Sequence, residues 1–204
     1  MADESLNPVV YSKNVIEFVT VANEYCKFIE RAGSEEAKSM LWKAQKILPL
    51  LYLKISVLPD FESFEELTLE KYVTEVDYNF LQQRIMNLLG EHDDYQEVFE
   101  PGMQFSDAPL TASLSENLTD IYQDLKDFIL SYRIGDDQVM QEALWECMNN
   151  FKNYWGQKLV NGLRAIHSLV YSSADFDQKM DLPSEDQENS KPDWLNSLFN
   201  NQRD

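Results

Sequence analysis

Residues 113–135 read SLSENLTDIYQDLKDFILSYRIG, and this stretch decides the fold class. Leu114, Leu118, Ile121, Leu125, Phe128 and Tyr132 alternate spacings of four and three, the interval at which an α-helix returns to one face. Ser113, followed three residues later by Glu116, reads as a capping box, and Gly135 reads as a stop. The pattern predicts an amphipathic helix that buries one side against other helices.

The same grammar recurs on both sides. Upstream, Asn7 and Pro8 fit the N-cap and first position of a helix whose stripe is Tyr11, Val15, Phe18, Ala22, Tyr25 and Ile29. Gly33 ends it. Ser34 is the expected cap of a second helix, with Glu35 and Glu36 in its first turn, where acids suit the helix dipole. Its stripe is Met40, Leu41, Ala44, Ile47, Leu48, Leu51 and Ile55. Pro49 lies inside it and predicts a kink, with the helix continuing to about Pro59. Residues 60 to 73 are acidic and weakly periodic, a connector. Thr74 opens a third helix with Tyr78, Leu81, Ile85 and Leu88 inward and Gly90 as the stop. A second connector follows, broken by Pro101, Gly102 and Pro109.

Downstream of Gly135 one long helix is expected over residues 137 to 171. Its stripe is Met140, Leu144, Cys147, Phe151, Trp155, Leu159, Leu163, Ile166 and Val170. At 1.5 Å per residue it would run roughly 50 Å and outreach its neighbours. Gly156 and Gly162 are weak points or close-packing points within it. The predicted architecture is therefore all-α: an antiparallel bundle of about five main helices, kinked at Pro49, with a long last helix. Residues 1–171 form the bundle domain. Residues 172–204 read as an acidic, flexible tail. That tail carries a short amphipathic segment, residues 193–200, with Trp194, Leu195, Leu198 and Phe199 on one face. It is the expected partner-binding element.

Charge narrows the partners. Seventeen Lys and Arg stand against 36 Asp and Glu, a net charge of -19. Nucleic acid and anionic membranes are repelled by such a surface, whereas basic proteins and divalent cations are not. No run of about 18 apolar residues occurs, and the start MADESLNP lacks the apolar stretch of a signal peptide. Cys26 and Cys147 each fall on an apolar stripe, without a CxxC or Cys/His cluster. They read as buried reduced thiols of a cytoplasmic protein.

Three chemistries bear on the carboxylates and histidines of this sequence. Glu116, Asp120, Asp124 and Asp127 recur every three or four residues, an acidic line beside the apolar stripe of the fourth helix. Magnesium uses such carboxylates, and all-helical nucleotide pyrophosphohydrolases line their bundles with them. Those enzymes pair E-x-x-E with E-x-x-D, and here Glu116 and Asp120 are four apart. A solvated acidic face is the expected reading, with a magnesium-dependent nucleotide or phosphate hydrolase as the alternative. The E-x-x-H pairs of di-iron bundles are absent, since Leu89 and Arg164 stand three residues before His92 and His167. A hydrolase triad fails too, without a nucleophile elbow or glycine-rich phosphate loop.

A polar pocket is the remaining candidate. Arg164 and His167 are three apart and share a helix face. If the fourth and fifth helices form a hairpin about Gly135, that face lies opposite the connector that begins GEHDDYQEVF. Asp93, Asp94 and Tyr95, beside His92, are then expected to fold over Arg164 and His167.

LPLLYLKISVLP (48–59), TEVDYNFLQQRIMNLLGEHDDYQEVFEP (74–101), SENLTDIYQDLKDF (115–128) and YWGQKLVNGLRAIH (154–167) together resemble an uncharacterised bacterial family of all-helical proteins, a domain of unknown function. The resemblance covers most of residues 7 to 171 and excludes the tail. It implies a cytoplasmic helical bundle and brings no activity, cofactor or ligand with it. The expected function is thus a non-catalytic protein-interaction module with an unidentified protein partner. An acidic, immunity-type inhibitor of a basic protein is a further alternative. A homodimer built on the long helix is open.

Overall fold

The computed structural model describes residues 9–64, 67–97 and 110–172. The predicted start at Asn7 and Pro8, the breakers Pro101, Gly102 and Pro109, and the tail with Trp194, Leu195, Leu198 and Phe199 lie outside them.

Among the described residues the chain is a bundle of helices with one small hairpin. After a 3-10 turn at Val9–Tyr11 come α1 (Lys13–Glu30), α2 (Ala37–Ser56) and α3 (Glu75–Leu89). The strands β1 (Asp94–Gln96) and β2 (Thr111–Ser113) precede α4 (Leu114–Tyr132). Then follow α5 (Asp137–Asn150), a π-helical turn (Phe151–Trp155) and α6 (Gly156–Tyr171). Helices α1 and α2 run antiparallel. Asn14 near the start of α1 donates to the Val57 carbonyl just past α2 at 3.3 Å, and Lys54 reaches Glu17 at 2.6 Å.

The helix boundaries follow local chemistry. Thr74 and Asp77 form a reciprocal capping box at the start of α3, and Gly90 closes that helix at φ 55°, a conformation costly for other residues. Ser113 caps α4 by accepting from the Glu116 backbone N–H at 3.3 Å. The Glu116 carboxylate meets Lys158 instead, at 3.4 Å. Asp136 caps α5 through the N–H groups of Gln138 and Val139. Ser34 departs from expectation. Its hydroxyl donates back to the Arg31 carbonyl at 2.6 Å, and Glu36 takes the N-cap position of α2. Helix α2 runs unbroken through Pro49 and stops at Ser56. Pro49 is exposed, so water can take the carbonyl that its missing N–H leaves free.

α4 is the central element. It packs against α1, α3, α5 and α6, while α2 packs on α1 and α6. Four neighbours bury more than the one predicted stripe. Ser115, Asn117, Thr119, Asp120, Asp127 and Ser131 of α4 are all buried beside Leu118, Ile121, Leu125 and Phe128. Trp155, Tyr25, Tyr122 and Phe18 are the largest wholly buried side chains of the core.

Three expectations need correction. The long last helix is interrupted by the π-turn, so α5 and α6 are offset in phase. Tyr11 is exposed rather than inward, and its hydroxyl donates to Asp137 at 2.7 Å, because the 3-10 turn at Val9–Tyr11 precedes α1. The second connector contributes a hairpin strand, in which Asp94 faces Ser113, Tyr95 faces Ala112 and Gln96 faces Thr111.

Candidate functional site

The hairpin sets the polar junction. Asp93 is almost wholly buried, and its carboxylate accepts from the Ser115 N–H at 2.7 Å, the Ser115 hydroxyl at 2.7 Å and the Ser113 hydroxyl at 2.8 Å. Its charge sits at the N-terminus of α4, where the free N–H groups and the helix dipole favour an anion. Asp93 is therefore committed to the cap and does not reach toward Arg164 or His167.

β1 then lies over α6. Asp94, Tyr95, Glu97, Asn161, Arg164 and Ser168 line a cleft of about 250 Å³. The Tyr95 hydroxyl accepts from the Asn117 amide at 2.5 Å and donates to Glu97 at 3.4 Å. The Asn161 amide donates to the other Glu97 oxygen, and Gln157 donates to Asn161 at 2.9 Å. Burial, reinforced by Glu97, holds the Tyr95 phenol well above its ordinary pKa. Glu97 and Asn161 also border a wider cleft of about 680 Å³ that contains Tyr154 and Lys158. The structure thus brings Asp94, Tyr95 and Arg164 to one cleft and leaves both histidines off its wall. His92 lies 3.9 Å from Glu91, and the exposed His167 ring sits 4.7 Å from the ring of Tyr171. Neither cleft is lined by a histidine or cysteine that could serve as base or thiolate nucleophile.

The acidic line of α4 is solvated only in part: Glu116 is exposed and Asp124 half-buried, whereas Asp120 and Asp127 are buried. Asp120 accepts from the Tyr78 hydroxyl at 2.7 Å, the Tyr154 hydroxyl at 2.8 Å and the Lys158 ammonium. Asp124 accepts from Asn150 at 2.6 Å. Asp127 accepts from the backbone N–H groups of Tyr72 at 2.8 Å and Val73 at 3.0 Å, so it straps the first connector to the bundle. Glu142 on α5 does the same one step earlier, through the Phe64 N–H at 2.6 Å and the Ser63 hydroxyl. Burial pushes Asp124 up to about 6 and raises Asp127 as well. Glu116, Asp120, Asp124 and Asp127 are each held by their own protein donors. Among the described residues no group of three or more His, Cys, Asp or Glu is placed to hold a metal ion.

A third feature was missed by the sequence reading. The outer face of α2 carries Trp42, Lys46, Leu50, Leu53 and Val57, which lie on one side at helical spacing, opposite the buried Met40, Leu41, Leu48, Leu51 and Ile55. Leu53 is 54% exposed and Val57 46%, high for aliphatic side chains in a row. The Lys46 ammonium lies 5.7 Å from the centre of the Trp42 ring, and Tyr171 at the end of α6 stands 5.9 Å from that ring. α2 also holds Lys38, Lys43, Lys46 and Lys54 and no acid, on a chain of net charge -19. The signal was present in the sequence: α2 carries apolar residues on the side away from its buried stripe as well, beside its lysines.

Among the described residues no helix is long and apolar enough to cross a membrane. No match was found among functionally curated proteins. Among solved structures, the chain is similar to the crystal structure of protein BF1032 from Bacteroides fragilis. The two are 44% identical with a TM-score of 0.72, over 81% of this chain and 98% of that one. The model of a family described as a domain of unknown function, DUF5063, matches residues 9–172. Spanning most of the bundle and matched at that identity, the chain belongs to the DUF5063 family.

Proposed function

We propose that the chain is a non-catalytic protein-interaction module whose docking face is the outer side of α2. The observation that carries this reading is the row Trp42, Leu50, Leu53 and Val57, exposed on a helix of lysines. Exposed apolar rows rimmed by charge mark surfaces that bind other proteins. The partner it fits presents an amphipathic helix, apolar on one side and acidic at its edges. Cytoplasmic location belongs to the same reading and is supported by Cys26 and Cys147, free thiols in the core. The chain's negative charge argues against nucleic acid and anionic membranes as partners.

The test is a photo-crosslinking amino acid in place of Leu53, in the full chain inside its native cells. The reading expects a covalent product heavier than the chain that contains a second, different polypeptide and is lost when Leu50→Glu is added. A lack of any heavier product both in the full chain and in its Leu198→Glu variant, or a product that survives Leu50→Glu, overturns it.

A further inference from the structure

We infer that the outer face of α2 is occupied by the chain's own residues 193–200, which act as a tethered ligand in cis. This rests on the reading of α2 as a docking face and names the occupant. Four observations meet here.

The first is where the described chain ends. Tyr171, the last residue of α6, lies against Trp42, the first apolar residue of the α2 row. The 32 residues that follow Ser172 therefore start at the head of that row. The second is sequence. Trp194, Leu195, Leu198 and Phe199 are spaced to share one helix face, matched in kind to the apolar row on α2. The third is charge. Residues 173–204 hold eight acids, Asp175, Asp177, Asp181, Glu185, Asp186, Glu188, Asp193 and Asp204, against Lys179, Lys191 and Arg203. α2 holds four lysines and no acid; Lys43 and Lys54 already pair with Glu35 and Glu17, so Lys38 and Lys46 are the charges that attract the tail while most of the surface repels it.

The fourth is reach. From Trp42 to Val57 the row spans roughly 22 Å at 1.5 Å per residue. Residues 173–192 number twenty, and twenty residues reach at most about 70 Å, so they can bring residues 193–200 to any point of the row. A tether long enough to reach the row makes the contact intramolecular, so a contact of weak intrinsic affinity is well populated. A segment this short is marginal as a free helix, and the α2 row supplies the apolar surface it lacks. An external partner of like chemistry would then have to displace residues 193–200 before docking.

The experiment places the same photo-crosslinking residue at position 53 in purified full-length protein and maps the product by mass spectrometry. The expected product joins position 53 to residues 193–200 within one molecule. Its yield should be independent of protein concentration, fall with added salt, and drop about tenfold with Leu198→Glu, the loss expected when one buried leucine is replaced by a charge. Mixing isotope-labelled and unlabelled copies separates cis from trans. Crosslinks between differently labelled copies would overturn the inference in favour of self-association. Photolysis that never reaches residues 193–200, or a yield that Leu198→Glu leaves unchanged, would overturn it outright. A heavier product in cells with no cis product in vitro would leave the docking face standing and remove its proposed occupant.

Discussion

A Cβ atom added to Gly156 would stand 2.4 Å from the carbonyl oxygen of Phe151. The same carbonyl accepts the Gly156 N–H, the five-residue step that defines the π-turn. The turn thus depends on a residue with no side chain where it closes. Gly156→Ala should destabilise by about 1–3 kcal/mol, the usual cost of forcing atoms into a packed site, and lower Tm by roughly 3–10 °C. Gly162 is the control. A Cβ there meets Leu114 at 3.7 Å, ordinary contact, inside regular α6. Gly162→Ala should raise stability by about 0.5–1 kcal/mol through helix propensity. Thermal melts in which both variants move Tm in the same direction would contradict this assignment of the π-turn.

The connector before α3 hangs on Asp127. Asp127→Ala removes the acceptor of two backbone N–H groups and should cost about 2–4 kcal/mol. Asp127→Asn keeps an oxygen in place and should cost less. Hydrogen exchange at Tyr72 and Val73 reads the strap directly, since those amides should lose protection in the alanine variant. Unchanged protection would mean that the connector is held by something else.

Helix ends were legible at Thr74, Ser113 and Gly90 because a cap is a local interaction among residues three or four apart. The stripe of α4 was legible for the same reason. What could not be read was how many neighbours α4 has. That number is tertiary, and it turns Asp120 and Asp127 from surface acids into buried acceptors. The hairpin was missed because strands of three residues carry no measurable alternation. The π-turn leaves a trace in the sequence. Cys147, Phe151, Trp155 and Leu159 step by four three times running, and each such step drifts about 40° around an α-helix. A wider turn absorbs that drift and lets both Cys147 and Leu159 stay buried. Of the polar pocket, Tyr95 and Arg164 do share a cleft, yet Asp93 had a stronger local use at the α4 terminus.

Cys26 and Cys147 are buried, and burial raises both thiols above their ordinary pKa. Thiolate is the reactive form, so neither should react with a thiol reagent in the native protein at pH 8. Two thiols should appear on unfolding. Rapid native labelling of either would show that the helices around it open far more often than their packing implies.

Asp124 gives the sign of a pH dependence. Its pKa is raised to about 6 from an ordinary value of 3.8, burial outweighing the hydrogen bond from Asn150. Between roughly pH 4 and 6 the folded state therefore binds more protons at this site than the unfolded chain does. Stability contributed here rises as pH falls through 6 and is lost at neutral pH, where a charged carboxylate is held in a dry setting. Other carboxylates oppose this, so the clean measurement is a difference between variants. Asp124→Asn keeps an oxygen for Asn150 and removes the charge. It should stabilise the protein at pH 7.5 by about 1–2 kcal/mol, after allowing for partial exposure and screening. The gain should shrink toward zero by pH 4.5, where wild type is already protonated. Urea melts at both pH values test it, and a gain of equal size at both would show that the carboxyl titrates near its ordinary pKa and that burial does not govern it.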